Sequence, residues 1–452
     1  MFTIPNKLWK AILYFFYLLI FFLLFLFCEK SPSPLLSGQV RLTAEEVGVT
    51  EVWLGVQTAH ITGEFSLKVW RDDTCIFRGV FSGADTTVYD SRLRPAHRYR
   101  YRARLERNGH PVLESAPLEI TTMDTTSHEF QWEIIEIPSP YGSGVLYDVA
   151  IINENDIWAV GEIYADSAQP WLPYNAVHLS AGQAGGDGQR WELKRIPFTG
   201  WCSAVQFPPL RAIFAFSEND IWFARGGSLV HYNGSTFYND CDMNPLLDGS
   251  INKIWGTDSN NLYAVGGAGS IAHYDGSRWQ KIESGTELDV YDIFGVEDPV
   301  SGSQEIYAVA AKQFVTFDKY IFNVTPEGVS AVSDSGIPYS LHGVWFKEGG
   351  PYYVVGSGMY TKRDLAKPGA WKWLHPTVTP YYTYAIRGNA INDIFVCGSF
   401  GELLHFNGST WRSYRNVTGS ITALYEVSCS VNIVAAVGYV QPHAVVVIGR
   451  RI

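Results

Sequence analysis

The stretch I-N-K-I-W-G-T-D-S-N-N-L-Y-A-V-G-G-A-G-S-I-A-H-Y-D-G-S-R-W-Q-K-I, Ile251 to Ile282, decides the fold. Its apolar residues alternate in short runs broken by turn residues, which predicts four strands. These are Lys253 to Gly256, Leu262 to Gly266, Ser270 to Tyr274 and Arg278 to Ile282. Asp275-Gly276 joins the last two, and such a pair tolerates the positive φ that a tight hairpin needs.

The second strand of this unit begins a motif, N-D-I-W-A-V-G, that recurs along the chain. Copies open at Asp156-Ile157-Trp158, Asp220-Ile221-Trp222, Asn261-Leu262-Tyr263 and Glu305-Ile306-Tyr307. Three more open at Pro351-Tyr352-Tyr353, Asp393-Ile394-Phe395 and Asn432-Ile433-Val434. A first strand precedes each, entered at Tyr147, Arg211, Asn252, Tyr291, His342, Tyr384 and Thr422. Four antiparallel strands in about 40 residues, repeated, is the pattern of a β-propeller blade, here with seven blades. The seventh copy lacks its fourth strand, because the chain ends just after Ala444 to Ile448. Gln131-Trp132-Glu133-Ile134-Ile135 precedes the first copy and reads as an orphan fourth strand. Strand 131–136 is therefore expected to complete the last blade and close the ring, leaving no open sheet edge. The propeller spans 128–452.

Composition agrees with an all-β chain. Aromatics make up 15% of 452 residues and glycine numbers 42, a mixture that favours pleated strands and tight turns. The net charge is -11. With no Lys/Arg stripe to neutralise phosphates, nucleic acid is excluded as a partner.

The N-terminus, 1–28, reads as a targeting segment. Lys7 and Lys10 precede an unbroken apolar run from Ala11 to Phe27, followed by Cys28. It resembles a bacterial lipoprotein signal, which implies lipidation of Cys28 and export to the cell envelope. Phe25-Leu26-Phe27 stand where such signals carry small residues, so an uncleaved membrane anchor and ordinary secretion stay open. All three place the rest of the chain where disulfides form. Cys202 and Cys241 flank one repeat as a candidate bridge, and Cys397 with Cys429 form a second, while buried free thiols are the alternative. No Cys-x-x-Cys or His-x-x-x-His spacing points to a metal, and no motif implies a cofactor.

After a Pro/Ser linker, 29–37, segment 38–123 alternates in strands. Trp53 and the run Leu93-Arg94-Pro95-Ala96-His97-Arg98-Tyr99 resemble the core Trp and the tyrosine corner of a fibronectin type III domain. That resemblance implies a β-sandwich in which the Tyr99 hydroxyl satisfies nearby backbone. Arg98, Arg100, Arg102 and Arg104 alternate along one strand and form a solvated face.

Several motifs are structural. Tyr274-Asp275-Gly276-Ser277-Arg278-Trp279 resembles the Asp-box of sialidases, a turn remote from catalysis, and Lys194-Arg195-Ile196-Pro197 echoes their Arg-Ile-Pro motif out of place. Asp156, Asp220 and Asp393 recur in symmetry-related positions, which marks them as turn chemistry. No nucleophile elbow, P-loop or convergent acidic pair can be assigned.

Function is sought where blades differ. Loops between second and third strands share a face with the crossovers between blades, and both are aromatic. Candidate ligand-binding residues are Trp171, Tyr174, Trp201, Arg211, His342, Tyr381 and Tyr382. Aromatic faces stack and hydroxyls orient, which suits a glycan, peptide or protein partner. The chain resembles bacterial surface propellers built from N-D-I-W-A-V-G repeats, which implies an exported, membrane-anchored, non-enzymatic binding or scaffold protein. A glycan-processing hydrolase or lyase and an extracytoplasmic assembly factor are the alternatives.

Overall fold

The computed structural model describes residues 38–452 apart from 62, 83–84, 181–189, 201–203, 241–245, 316 and 375–376. The targeting segment with Cys28, Trp201, and the candidate bridge Cys202–Cys241 lie outside the described residues. The chain divides into two compact units, Met1–Met123 and Asp124–Ile452.

The first unit has two antiparallel sheets. One orders Gln39–Val47, Glu51–Ala59 and Thr86–Ser91; the other orders Thr74–Phe81, Phe65–Arg71, Arg98–Arg107 and His110–Glu114, with Leu118–Thr121 also paired to Arg98–Arg107. Alternation along each strand sends one set of side chains into a shared core that includes Val52, Leu54, Leu67 and Tyr101. Arg94 N–H donates to the Tyr99 hydroxyl at 2.9 Å. Trp53 departs from its expected core role. It lies between the inward-facing Val52 and Leu54, so the pleat turns it to the other face, where its ring packs on Tyr89 at 4.5 Å.

The second unit is a β-propeller. Its described residues form seven four-stranded antiparallel sheets. Blade 1 runs through Val145–Asn153, Asp156–Ile163, Tyr174–Ser180 and Arg190–Lys194. Blades 2 to 6 begin with Ala212–Ser217, Ile251–Asp258, Asp289–Glu297, Leu341–Phe346 and Thr383–Ala390. Blade 7 takes Ala423–Cys429, Ile433–Val440 and His443–Arg451, and its fourth strand is Phe130–Ile137, antiparallel to His443–Arg451. An additional hairpin, Phe198–Gly200 with Ala204–Gln206, sits in the crossover between blades 1 and 2.

Seven apolar clusters hold the ring, one at each junction between neighbouring blades. Each second strand contributes to the clusters on both sides, because its central residues alternate between the two neighbours. Ile157 and Ala159 face blade 7, whereas Trp158 and Val160 face blade 2. A fully buried Val, Leu or Ile contributes roughly 1.5–3 kcal/mol, so stability is spread around the ring.

The recurrent aspartates do more than turn the chain, which corrects the sequence expectation. Asp156, Asp220 and Asp393 accept hydrogen bonds from third-strand histidines His178, His231 and His405 at 2.8, 2.8 and 2.9 Å. Asn261 takes the same place with His273 at 2.8 Å. Each imidazole stacks on the aromatic beside its partner, as His178 does on Trp158 at 3.9 Å. The histidine of H-Y-D-G is thus the missing half of N-D-I-W.

Cys397 and Cys429 are free thiols. Burial pushes the Cys397 thiol well above its usual range, and it behaves as a small apolar side chain. His128, His273, His342 and His405 all titrate below the usual imidazole value because burial disfavours the cation, with His128 lowered to about 4. The unfolded chain takes those protons near pH 6.5, so their contribution is complete above that value and is lost as pH falls through each lowered folded value. Asp148, raised to about 6, opposes them between roughly pH 4 and 6, where the folded state holds the extra proton. The loss from the four histidines sets in at higher pH than the gain from Asp148. The melting temperature is expected to fall between pH 7 and pH 5, and a rise would contradict these assignments.

Candidate functional site

The site is a cup at the mouth of the propeller axis, built by a repeated irregularity. In six blades the register of the first strand slips near its start, leaving one residue unpaired: Tyr147, Asn252, Tyr291, His342, Tyr384 and Tyr425. A β-bulge bends its strand and re-aims the extra side chain. All six of these side chains, with Arg211 of blade 2, line one cavity of about 440 Å3. Thr422 was expected at the seventh place; the bulge puts Tyr425 there instead.

The bulge explains the glycine that ends N-D-I-W-A-V-G. Gly161, Gly266, Gly356, Gly398 and Gly438 each pair with the residue just before the bulge. The bent strand brings a carbonyl oxygen onto the spot a Cβ would occupy; for Gly266 it is that of Ser250. Blade 4 carries Ala310 at this place, opposite Val290. Gly266→Ala is expected to cost about 3 kcal/mol, the upper end for overpacking, and chemical denaturation will show whether it does.

The cup has a closed floor. Directly after three bulges stand Asp148, Lys253 and Asp292, and after a fourth Glu426. Lys253 Nζ reaches across the axis to Asp148 Oδ1 and Glu426 Oε2, both at 2.7 Å. Arg387 clasps Asp292 through two hydrogen bonds of 2.9 and 2.8 Å and lies 3.6 Å from Glu426. The remaining acceptors are used on backbone: Asp148 takes Ile213 N–H at 3.0 Å and Asp292 takes Val344 N–H at 2.9 Å, each from the next blade. Blades 1, 3, 4, 6 and 7 are thereby tied through one buried charge cluster. Below it lies a second, largely apolar chamber of about 220 Å3 that shares Lys253 with the cup.

The two carboxylates that share Lys253 differ. Burial raises Asp148 to about 6, with Lys253 only partly offsetting it. Burial also acts on Glu426, but Arg387 and Lys253 together outweigh it and hold Glu426 below its usual range. Asp148 has one cation and Glu426 has two. Lys253 stays charged because its two carboxylates overcome its own burial.

The walls are aromatic and oriented. Arg211 lies over the Tyr147 ring at 3.8 Å, and His342 stacks on Tyr291 at 4.5 Å. His342 Nδ1 donates to the Tyr384 carbonyl at 2.8 Å, which leaves Nε2 as an acceptor in the neutral ring that burial favours. Asn252 uses its amide N–H on the Val290 carbonyl at 3.0 Å. Tyr147 donates to Glu162 at 3.0 Å, and burial lifts its hydroxyl to about 12.

Of the residues singled out from sequence, Arg211 and His342 line the cup. Tyr382 stands behind it, 6.1 Å from His342 and 5.0 Å from Tyr384. Tyr381 is turned outward against Arg415 and Phe400. Tyr174 is covered by Arg195 at 4.2 Å, and Arg195 also binds Asp166 at 2.9 Å and the Leu172 carbonyl at 3.1 Å. Arg195 of the Arg-Ile-Pro echo is thus a brace for the blade 1 loop between Asp156–Ile163 and Tyr174–Ser180. Trp171, on that loop, is 73% exposed. Sequence reading missed Tyr425, Phe314 and the whole charged floor. The one available signal for the floor was a charged residue directly after four of the seven mouth positions: Asp148, Lys253, Asp292 and Glu426.

No protein-family model matches the chain, and no curated protein matches it. Its fold is similar to solved propellers. "YCF48 bound to D1 peptide" is 17% identical, with 73% of this chain and 97% of that chain covered and a TM-score of 0.52. The WD40 β-propeller domain of Doa1 is 13% identical, with 72% and 98% covered and a TM-score of 0.51. YCF48 from Cyanidioschyzon merolae is 13% identical, with 71% and 98% covered and a TM-score of 0.50. At these identities the likeness shows the fold alone.

Proposed function

We propose that the chain is a non-enzymatic binding protein whose propeller mouth holds a peptide segment of a protein partner. The carrying observation is the cup itself, where one residue at or near the start of each blade's first strand lines a single cavity with aromatic walls. Its acidic groups support binding over hydrolysis. A carboxylate pair at work on a glycosidic bond needs one member free to give a proton and one free to attack or activate water. Here Asp148, Asp292 and Glu426 are each engaged by Lys253, Arg387 or backbone N–H groups. One similar propeller is recorded with a peptide bound, which favours a peptide over a glycan.

The same reading makes residues 38–123 a fibronectin type III-like spacer, supported by the Tyr99 corner and the sheet order. It makes the N-terminal segment an export signal and membrane anchor through Cys28 or the apolar run before it. The decisive experiment exposes the full-length chain to arrays of peptides and oligosaccharides and assays both for turnover. Saturable peptide binding that is lost in His342→Ala and Arg211→Gln is expected. Cleavage of an oligosaccharide would overturn the reading. Incorporation of a lipid precursor, compared with Cys28→Ala, tests the anchor.

A further inference from the structure

The face around the cup carries two phenylalanines in a conformation that disfavours them. The blade 6 turn from Ser399 to Glu402 closes through Glu402 N–H to the Ser399 carbonyl at 3.2 Å. Its central residues, Phe400 and Gly401, have φ of 58° and 67°. Such a turn favours Asn-Gly. Blade 3 makes the same turn with Ala268 and Gly269 at φ 54° and 70°. In blade 4 the equivalent loop presents Phe314 at φ 61°. A bulky residue in the left-handed region is an outlier, and such outliers concentrate at ligand clamps. Neither ring is buried in compensation: Phe314 is 70% exposed and Phe400 is 59% exposed.

The two tips are ends of one aromatic track. Phe314 packs on Tyr382 at 5.1 Å and Phe400 on Tyr381 at 5.5 Å, and the two tyrosines are adjacent in the chain. Arg415 lies over the Tyr381 ring at 4.3 Å. It spends Nε on the Phe400 carbonyl at 3.0 Å and one terminal nitrogen on the Tyr381 hydroxyl at 2.7 Å. Its other terminal nitrogen has no protein acceptor, and Arg415 is in no ion pair, among the described residues. A guanidinium fixed on a ring with N–H groups to spare matches a carboxylate.

We infer that this track takes an extended segment of a partner protein, one that lays apolar side chains against Phe314 and Phe400 and sets a carboxylate on Arg415. The inference rests on the peptide-binding reading and adds the ligand's chemistry. A sugar fits less well, because the exposed anchors are phenylalanines without hydroxyls and Arg415 already covers one face of Tyr381.

The test uses the full-length chain and three sets of short fluorescent peptides. One set combines Leu and Phe with Asp and Glu, one replaces the acids with Lys and Arg, and one replaces the apolar residues with Ser and Gly. The first set is expected to bind at least about tenfold more tightly than either other. Phe314→Gly with Phe400→Asn should lose about tenfold in affinity while the melting temperature holds or rises, since both replacements accept the left-handed backbone. Arg415→Gln should erase the preference for the acidic set over the basic one. Equal binding of the basic set, or undiminished binding by the Phe314/Phe400 variant, overturns the inference. If that variant still binds and Arg211→Gln does not, the cup reading stands and the track falls. If no peptide set binds at all, both fall.

Discussion

Replacing Lys253 with Met is expected to cost about 3–5 kcal/mol at pH 7.5, the range for breaking a buried ion pair from one side. Met keeps the length and the apolar stem, so little volume is lost. The cost comes from Asp148 and Glu426, which would face each other across the axis without the ammonium now 2.7 Å from both. Acid should relieve it. Without the cation Asp148, already raised by burial, titrates still higher in the folded chain, and Glu426 keeps only Arg387 to hold it down. The folded state then holds extra protons, and stability rises as pH falls through that window. Denaturant unfolding of parent and variant at pH 7.5 and 5 reads both effects. Adding Glu426→Gln should recover part of the loss, because one buried charge disappears. A variant as stable as the parent at pH 7.5 would mean that the floor does not tie the blades.

The second large effect concerns the closure. A chain that begins at Pro138 lacks Phe130–Ile137, and blade 7 is left with three strands. It loses the paired register from Ala444↔Ile137 to Arg451↔Phe130. It also loses the hydrogen bonds of His128 to His405 at 2.8 Å and of the Tyr414 hydroxyl to the His128 carbonyl at 2.7 Å. Phe130 leaves a hole beside Phe395 and Tyr414, and truncating a buried Phe alone costs about 3–5 kcal/mol. The open edge of His443–Arg451 then invites pairing with other chains. The expected result is aggregation and no cooperative melting transition. A synthetic peptide spanning 128–138, supplied during refolding, should restore part of the transition. Cooperative melting of the shortened chain by itself would show that the ring tolerates an open seam.

Much of this fold is legible because its signals are local. N-D-I-W-A-V-G is a strand with a turn before it and a glycine after it, and its recurrence needs no knowledge of the ring. The orphan strand around Trp132 is legible for the same reason, since the last copy visibly lacks its partner. The third-strand histidines were equally local, at H-Y-N-G, H-Y-D-G and H-F-N-G. They escaped notice because their partners, Asp220, Asn261 and Asp393, begin the preceding strand and the aspartates already had an explanation as turn residues. Trp53 was misplaced because strand alternation fixes which residues share a face without saying which face turns inward.

By itself, then, the sequence determined the repeat and the strand that closes the ring, with a count of seven that the seven four-stranded sheets bear out. Tertiary structure alone decided the site. Lys253 meets Asp148 and Glu426 across sequence separations of 105 and 173 residues. Arg387 meets Asp292 across 95. Four of these residues share one repeat position, directly after the bulge, but their side chains and charges differ from blade to blade, so the repeat does not say which will pair. They converge only because a closed ring points every first strand at one axis. The bulge beside each glycine then turns the neighbouring side chain into the mouth.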